Sequence, residues 1–187
     1  MAYVGISGVY RDDSQGPAIE TSNPLDIMIE GKAMFQVRTK DGERFTRNGS
    51  FALSRDGILV TIEGDPVLGE KGAVHLRAYE AQVNSRGEII QDGQIVDRFA
   101  LYSFSDPGAL ERVGTNYFYY GGDDAGRKLD GEARVSQGFL EGSNVNAIKN
   151  LTNMIIAHRS YEAYQKAVSN YDAMMQKTSN SVGNVQA

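Results

Sequence analysis

Cysteine is absent from this sequence, which excludes disulfides, a thiolate metal site and a cysteine nucleophile. No apolar run approaches the roughly 18 residues that a membrane-crossing helix needs. The opening MAYVGISGVYRDD has no basic start followed by an apolar stretch, so no cleaved signal peptide is legible. Glycines are plentiful, but none opens a helix with Rossmann or P-loop spacing, and no G-x-S-x-G elbow occurs. Histidine is scarce, with two in the chain. His75 lies between Val74 and Leu76 without an acidic or nucleophilic neighbour. His158 and Glu162 form an i, i+4 pair, read either as a metal half-site or as packed residues on a helix. Asp12-Asp13 and Asp123-Asp124 are read as a calcium site or as solvated loop carboxylates, and neither has the D-x-[DN]-x-[DN]-G spacing. No catalytic residue, cofactor or metal ligand is assigned.

What is present is uneven. Residues 1–142 carry 15 basic and 22 acidic side chains, net −7, and residues 143–187 carry four and two, net +2, which together give the chain's −5. An acidic body argues against nucleic acid as the main partner. Of 21 glycines, 20 precede Ser143, as do all four prolines.

Residues 143–178 therefore stand apart. Ile148, Leu151, Ile155, His158, Tyr161, Tyr164, Val168, Tyr171 and Met175 recur at steps of three and four, which predicts one stripe of an α-helix. Thirty-six such residues would make a rod of roughly 54 Å. Ser143, Asn144 and Asn146 are candidate N-caps, Lys177 suits the negative end, and residues 179–187 are expected to fray. Tyr161, Tyr164 and Tyr171 at helical spacing suit a helix–helix seam. A helix this long on a glycine-rich body is expected to meet other chains, as an assembly element.

The preceding stretch reads as β structure. A strand is expected within residues 2–10, and an apolar run over 25–37 breaks near Gly31. Asp41-Gly42, Asp56-Gly57, Arg86-Gly87 and Asp92-Gly93 read as turns between short strands. Residues 95–104 read as one strand, 109–113 as a short helix or loop, 116–120 as a strand with a wet aromatic face, 121–131 as a polar loop, and 133–140 as a last extended segment. The expected fold is mainly β, an antiparallel meander or small barrel, plus a long C-terminal helix. The expected division is a connecting segment over 1–22, a β-rich outer domain over 23–142, and an assembly helix with its tail over 143–187.

These motifs, taken together, resemble the bacterial flagellar rod and hook proteins, above all the basal-body rod proteins. Gln15-Gly16, Thr21 and Asn23-Pro24-Leu25-Asp26 before Ile29-Glu30-Gly31 are similar to the start of that family's β domain. Phe45-Thr46-Arg47-Asn48-Gly49-Ser50-Phe51, Asp56-Gly57-Ile58-Leu59-Val60-Thr61 and Pro66-Val67-Leu68-Gly69 resemble its internal signature. Gly114 and Asn116 match a glycine and an asparagine two residues apart. Gln137-Gly138-Phe139-Leu140-Glu141-Gly142-Ser143-Asn144-Val145-Asn146 resembles the approach to its terminal helix, and Met154-Ile155, Arg159, Tyr161-Glu162, Lys166, Asp172 and Met174 the helix body. Two departures stand out. Gly31-Lys32-Ala33-Met34-Phe35 replaces a glycine-x-glycine-phenylalanine-phenylalanine pattern, and the family's N-terminal helix with its asparagine-rich motif is missing, so an N-terminal truncation is expected.

The resemblance implies a structural subunit of the rod, a self-assembling protein that joins copies of itself and other rod subunits through coiled-coil helices. It implies export through the type III apparatus without a cleaved signal, a periplasmic place in the basal body, and torque carried from motor to hook in motility. Membrane insertion, nucleic acid and catalysis form no part of it. The wording Pro66-Val67-Leu68-Gly69-Glu70 leans towards a proximal rod subunit over the distal one. Two rival readings differ in class. One is a glycan- or cell-wall-binding module with an aromatic cluster at Tyr117, Phe118, Tyr119 and Tyr120, oligomerised by its helix. The other is a hydrolase using Asp123 and Asp124.

Overall fold

The computed structural model describes residues 13–77 and 81–183. The strand expected within residues 2–10 lies outside them. The chain divides between Asn144 and Val145 into two compact units.

The first unit is antiparallel β structure throughout. Its hairpins form where the glycine turns were expected. Strands Met34–Thr39 and Gly42–Thr46 pair around Gly42, at φ 107°. Strands Phe51–Leu53 and Leu59–Thr61 flank Gly57, at φ 75°. Strands Gln82–Val83, Glu88–Gln91 and Gln94–Arg98 follow as a three-stranded meander. Positive φ is open to glycine without the Cβ clash that other residues meet there, so each turn is specified locally.

Long-range pairing then gathers the hairpins. A six-stranded sheet runs in the order Leu110–Val113, Tyr117–Tyr120, Gly42–Thr46, Met34–Thr39, Leu101–Phe104, Arg127–Leu129. Its strand Met34–Thr39 is buried on both faces, and period-2 alternation divides its side chains between two cores. Phe35 and Val37 enter the main core with Leu25, Ile27, Ile29 and Phe99. Met34 joins Phe45 and Leu110 in a second cluster, over which Tyr102, Phe104, Phe118 and Tyr120 pack. Phe35 meets Phe51 and Phe99 edge-on, at ring separations of 5.0 and 5.4 Å. Among the described residues, every buried side-chain nitrogen and oxygen has a hydrogen-bond partner.

Three local expectations are corrected. Residues 109–113 are mainly strand: a single 3-10 turn at Pro107–Ala109 leads into Leu110–Val113, and Leu110 is buried. The polar loop 121–131 contains strand Arg127–Leu129, whose backbone bonds complete the sheet edge at Tyr102–Phe104. Residues 95–104 are two strands in different sheets, because Phe99 and Ala100 break the run and are both buried.

The second unit is the helix Ala147–Gly183, 37 residues long, which begins four residues later than expected. Asn146 is its cap. Its Oδ1 accepts the Lys149 amide proton at 2.9 Å and its carbonyl accepts that of Asn150 at 3.0 Å. Ser143 and Asn144 belong to the body instead.

Candidate assembly interface

With neither glycine nor proline between Ala147 and Lys177, nothing interrupts the helical hydrogen bonds there. The helix carries its large side chains in water. Exposure runs from 54% at Ile155 to 78% at Ile148, and Leu151, Tyr161, Tyr164, Val168, Tyr171 and Met175 lie between. Scattered apolar groups on a surface need no explanation, but this density along one element does.

The set is not one straight stripe. At about 100° per residue, Ile148, Leu151, Ile155 and His158 share a sector of roughly 80°. Tyr161, Tyr164, Val168, Tyr171 and Met175 share another, centred about 140° away. The cause is in the spacing: two further steps of three follow Ile155–His158, so the set winds left-handed around the axis. Ile156 and Met174, exposed at 57% and 68%, occupy a third side. A helix apolar on several sides is the pattern of a buried helix, and the one here is uncovered.

His158 Nδ1 stands 3.6 Å from Glu162 Oε1, both side chains more than half exposed. Among the described residues no group of three histidine, aspartate or glutamate side chains could hold a metal ion. His75 is exposed at a single β-bridge to Ile58. Asp124 is ion-paired to Arg127 at 3.2 Å, and Asp123 precedes the short 3-10 turn Asp124–Gly126.

The aromatic strand Tyr117–Tyr120 does not present one surface. Phe118 and Tyr120 face the second cluster, Tyr119 is exposed with Arg44 5.1 Å above its ring, and Tyr117 packs against the main core. The Tyr117 hydroxyl meets Thr61 Oγ1 at 2.7 Å, Asp65 Oδ2 at 2.8 Å and Glu63 Oε2 at 3.2 Å. Burial pushes this phenol well above its ordinary range, and the two carboxylates add to the effect. Glu63 moves the other way, lowered chiefly by the Asn116 side-chain amide that donates to it at 2.6 Å.

The motif residues turn out to be joints. Asn23 Oδ1 accepts the Leu25 amide proton and its Nδ2 donates to Asp26 Oδ1, closing a turn that buries Leu25 and Asp26. The Pro24 carbonyl accepts from Gln137 Nε2 at 2.7 Å. Gly49 lies so close to the Ile27 carbonyl that a Cβ would overlap it. Asn144 Nδ2 donates to the Ser14 carbonyl at 3.0 Å, and Val145, 62% exposed, follows. Ser143 lines a cleft of about 510 Å³ with Met34, Phe104, Phe118, Arg47 and Glu141. The Arg47–Glu141 ion pair in that wall, at 2.6 Å, escaped the sequence reading, although both residues sit inside the motifs singled out there.

A β body that satisfies its own polar groups, followed by a long helix that leaves its apolar ones uncovered, defines a structural subunit of a larger assembly. Comparison with known proteins supplies the particular family. The C-terminal model of the flagellar basal body rod FlgEFG proteins matches residues 136–181, and the D1 domain model of the flagellar hook protein FlgE/F/G matches residues 28–97. The chain is 32% identical over 173 residues to the flagellar basal-body rod protein FlgF of Caulobacter vibrioides, covering 91% of this chain and 70% of that one. It is 31% identical over 191 residues to the FlgF of Mesorhizobium japonicum, covering 97% and 73%. It is 32% identical over 184 residues to the flagellar basal-body rod protein FlgG of Buchnera aphidicola from Acyrthosiphon pisum, covering 90% and 69%. The chain belongs to the flagellar basal-body rod protein family.

Proposed function

We propose that this subunit polymerises through its C-terminal helix, Ala147–Gly183, with other rod subunits and copies of itself, and that the assembled rod carries torque from motor to hook. The observation that carries this reading is the 37-residue helix with large apolar side chains exposed on several sides. Covering all of them requires more than one neighbouring helix. Residues 23–142 then form the outer domain, and Ala18–Glu20, paired with Phe139–Glu141, lies where the chain enters it. The reading places the protein in the periplasmic part of the basal body, delivered by the type III export apparatus without signal cleavage, and gives it no catalytic step. Within the rod, Pro66-Val67-Leu68-Gly69-Glu70 favours the proximal segment.

Leu151→Asp tests it. A carboxylate enclosed in a helix seam loses hydration without gaining a partner, at a cost of several kcal/mol. The purified variant is expected to keep the β signal in circular dichroism. Cells producing only this variant are expected to stop rod growth at the preceding subunit and to be non-motile. Ala125→Asp, in an exposed loop, is the control and should leave assembly intact. Normal rods with Leu151→Asp would refute the helix as the contact.

A further inference from the structure

Three stretches far apart in sequence meet at one guanidinium. Arg47 Nε and Nη2 both donate to Glu141 Oε2, at 2.8 and 2.6 Å. Its Nη1 donates to the carbonyls of Gly31 and Ala33, at 2.6 and 3.0 Å. The other Glu141 oxygen, Oε1, accepts the Gly16 amide proton at 2.9 Å. Gln15 adds a second tie to the same turn, donating to the Ile29 carbonyl and accepting the Gly31 amide proton, each at 3.1 Å. The paired side chains are only 22% and 16% exposed, so solvent and salt screen them less than an open surface pair.

These contacts sit at the open end of a two-stranded ribbon. Ala18–Glu20 pairs with Phe139–Glu141, Ala18 opposite Glu141, and all three residues of the first strand are exposed. A ribbon of this size is marginal alone. Its far end is fixed by backbone bonds, Thr21 to Gly138 at 2.8 Å and Gly138 to Asp26 at 2.7 Å. Its open end, where residues 142–144 lead on to Val145, is held to the body by Arg47.

A pull on the segment beyond Asn144 peels such a ribbon from its open end, one hydrogen bond after another. The Asn144–Ser14 and Gly142–Pro17 bonds meet the pull first and tie the strand to residues 14–17; the ion pair behind them ties it to Arg47. We propose that Arg47 and Glu141 form a clasp that stops the outgoing strand from peeling off the β body under tension. The proposal rests on the force-carrying function above and names the joint at which the body takes the force up.

The test uses Arg47→Gln, with Glu141→Gln as a second variant reaching the same pair from the other side. Hydrogen exchange on the purified chain is expected to speed up about tenfold or more at Gly16 and Gly142, with Phe35 and Val37 unchanged and the melting temperature of the body held. In cells, either variant is expected to form rods yet lose swimming in viscous medium while swimming in dilute medium. Unchanged exchange at Gly16 and Gly142 overturns the clasp, and so does parental swimming under viscous load despite faster exchange. Global loss of protection in both variants would make the pair a folding contact and also overturn it. None of these results resembles normal rods with Leu151→Asp, which would sink the function instead.

Discussion

The β body and the helix solve the same problem in opposite ways. Phe35 and Val37 are wholly buried by strands of their own chain, while Leu151, at 59% exposed, has nothing of the kind. The body's stability is therefore an internal property, closed by pairings such as Leu101 with Phe35 across sixty-odd residues. A helix whose apolar groups stay wet gains little beyond its own backbone bonds, and most helical stability in proteins comes from packing. The difference teaches where each unit's free energy resides: in the body before assembly and, on the proposed function, in the helix after it.

The strongest way to break that contrast is to damage the body alone. Phe35→Ala removes the ring that Phe51 and Phe99 pack against, and a loss of about 3–5 kcal/mol is expected. Chemical denaturation should show an earlier β transition. The variant's helical signal at low denaturant should stay as it was, because the core residues packed around Phe35 all lie in the β body.

A smaller effect is expected at Gly57. Its φ of 75° suits glycine, and a Cβ there would sit 2.7 Å from the Leu76 carbonyl. Gly57→Val should cost about 1–3 kcal/mol through backbone strain. A melting temperature within a degree of the parent would show that the turn relaxes without cost.

The smallest effect sharpens the contrast by pH. The Tyr117 phenol has a higher pKa folded than unfolded, so its contribution is complete below about pH 10 and is lost as pH rises beyond that. Glu63, lowered in the folded state, contributes above the ordinary carboxylate range and loses that contribution as acid protonates it. Melting of the body should thus weaken at both extremes. Tyr117→Phe should flatten the alkaline limb while leaving the acid limb sloped.

The glycine turns and the long helix were legible because each is written in a short window: a φ-permissive residue between strands, or apolar residues at steps of three and four. The six-stranded order was not, since Phe118 meets Phe45 and Tyr102 meets Leu129 through chain segments that carry no mark of one another. The strand at Arg127–Leu129 illustrates the point. Its own residues read as loop, and only the free edge at Tyr102–Phe104 makes them extended. The helix is legible, but its expected single stripe is not straight, because steps of three and four averaging below 3.6 accumulate a left-handed drift. The Arg47–Glu141 pair spans 94 positions, and no local pattern couples a cation to an anion over that distance.

One further consequence follows from the ribbon that joins Ala18–Glu20 to Phe139–Glu141. Nearly all of the β structure is inserted between two strands that lie side by side, so the two ends of what is threaded between them lie together. Domains attached in this way tolerate exchange, because a replacement can present two neighbouring ends at the same spacing, here with a cation to meet Glu141. The ribbon is thus a socket. If the helix is the polymerising element, as proposed, subunits sharing it can carry outer domains of different size and surface.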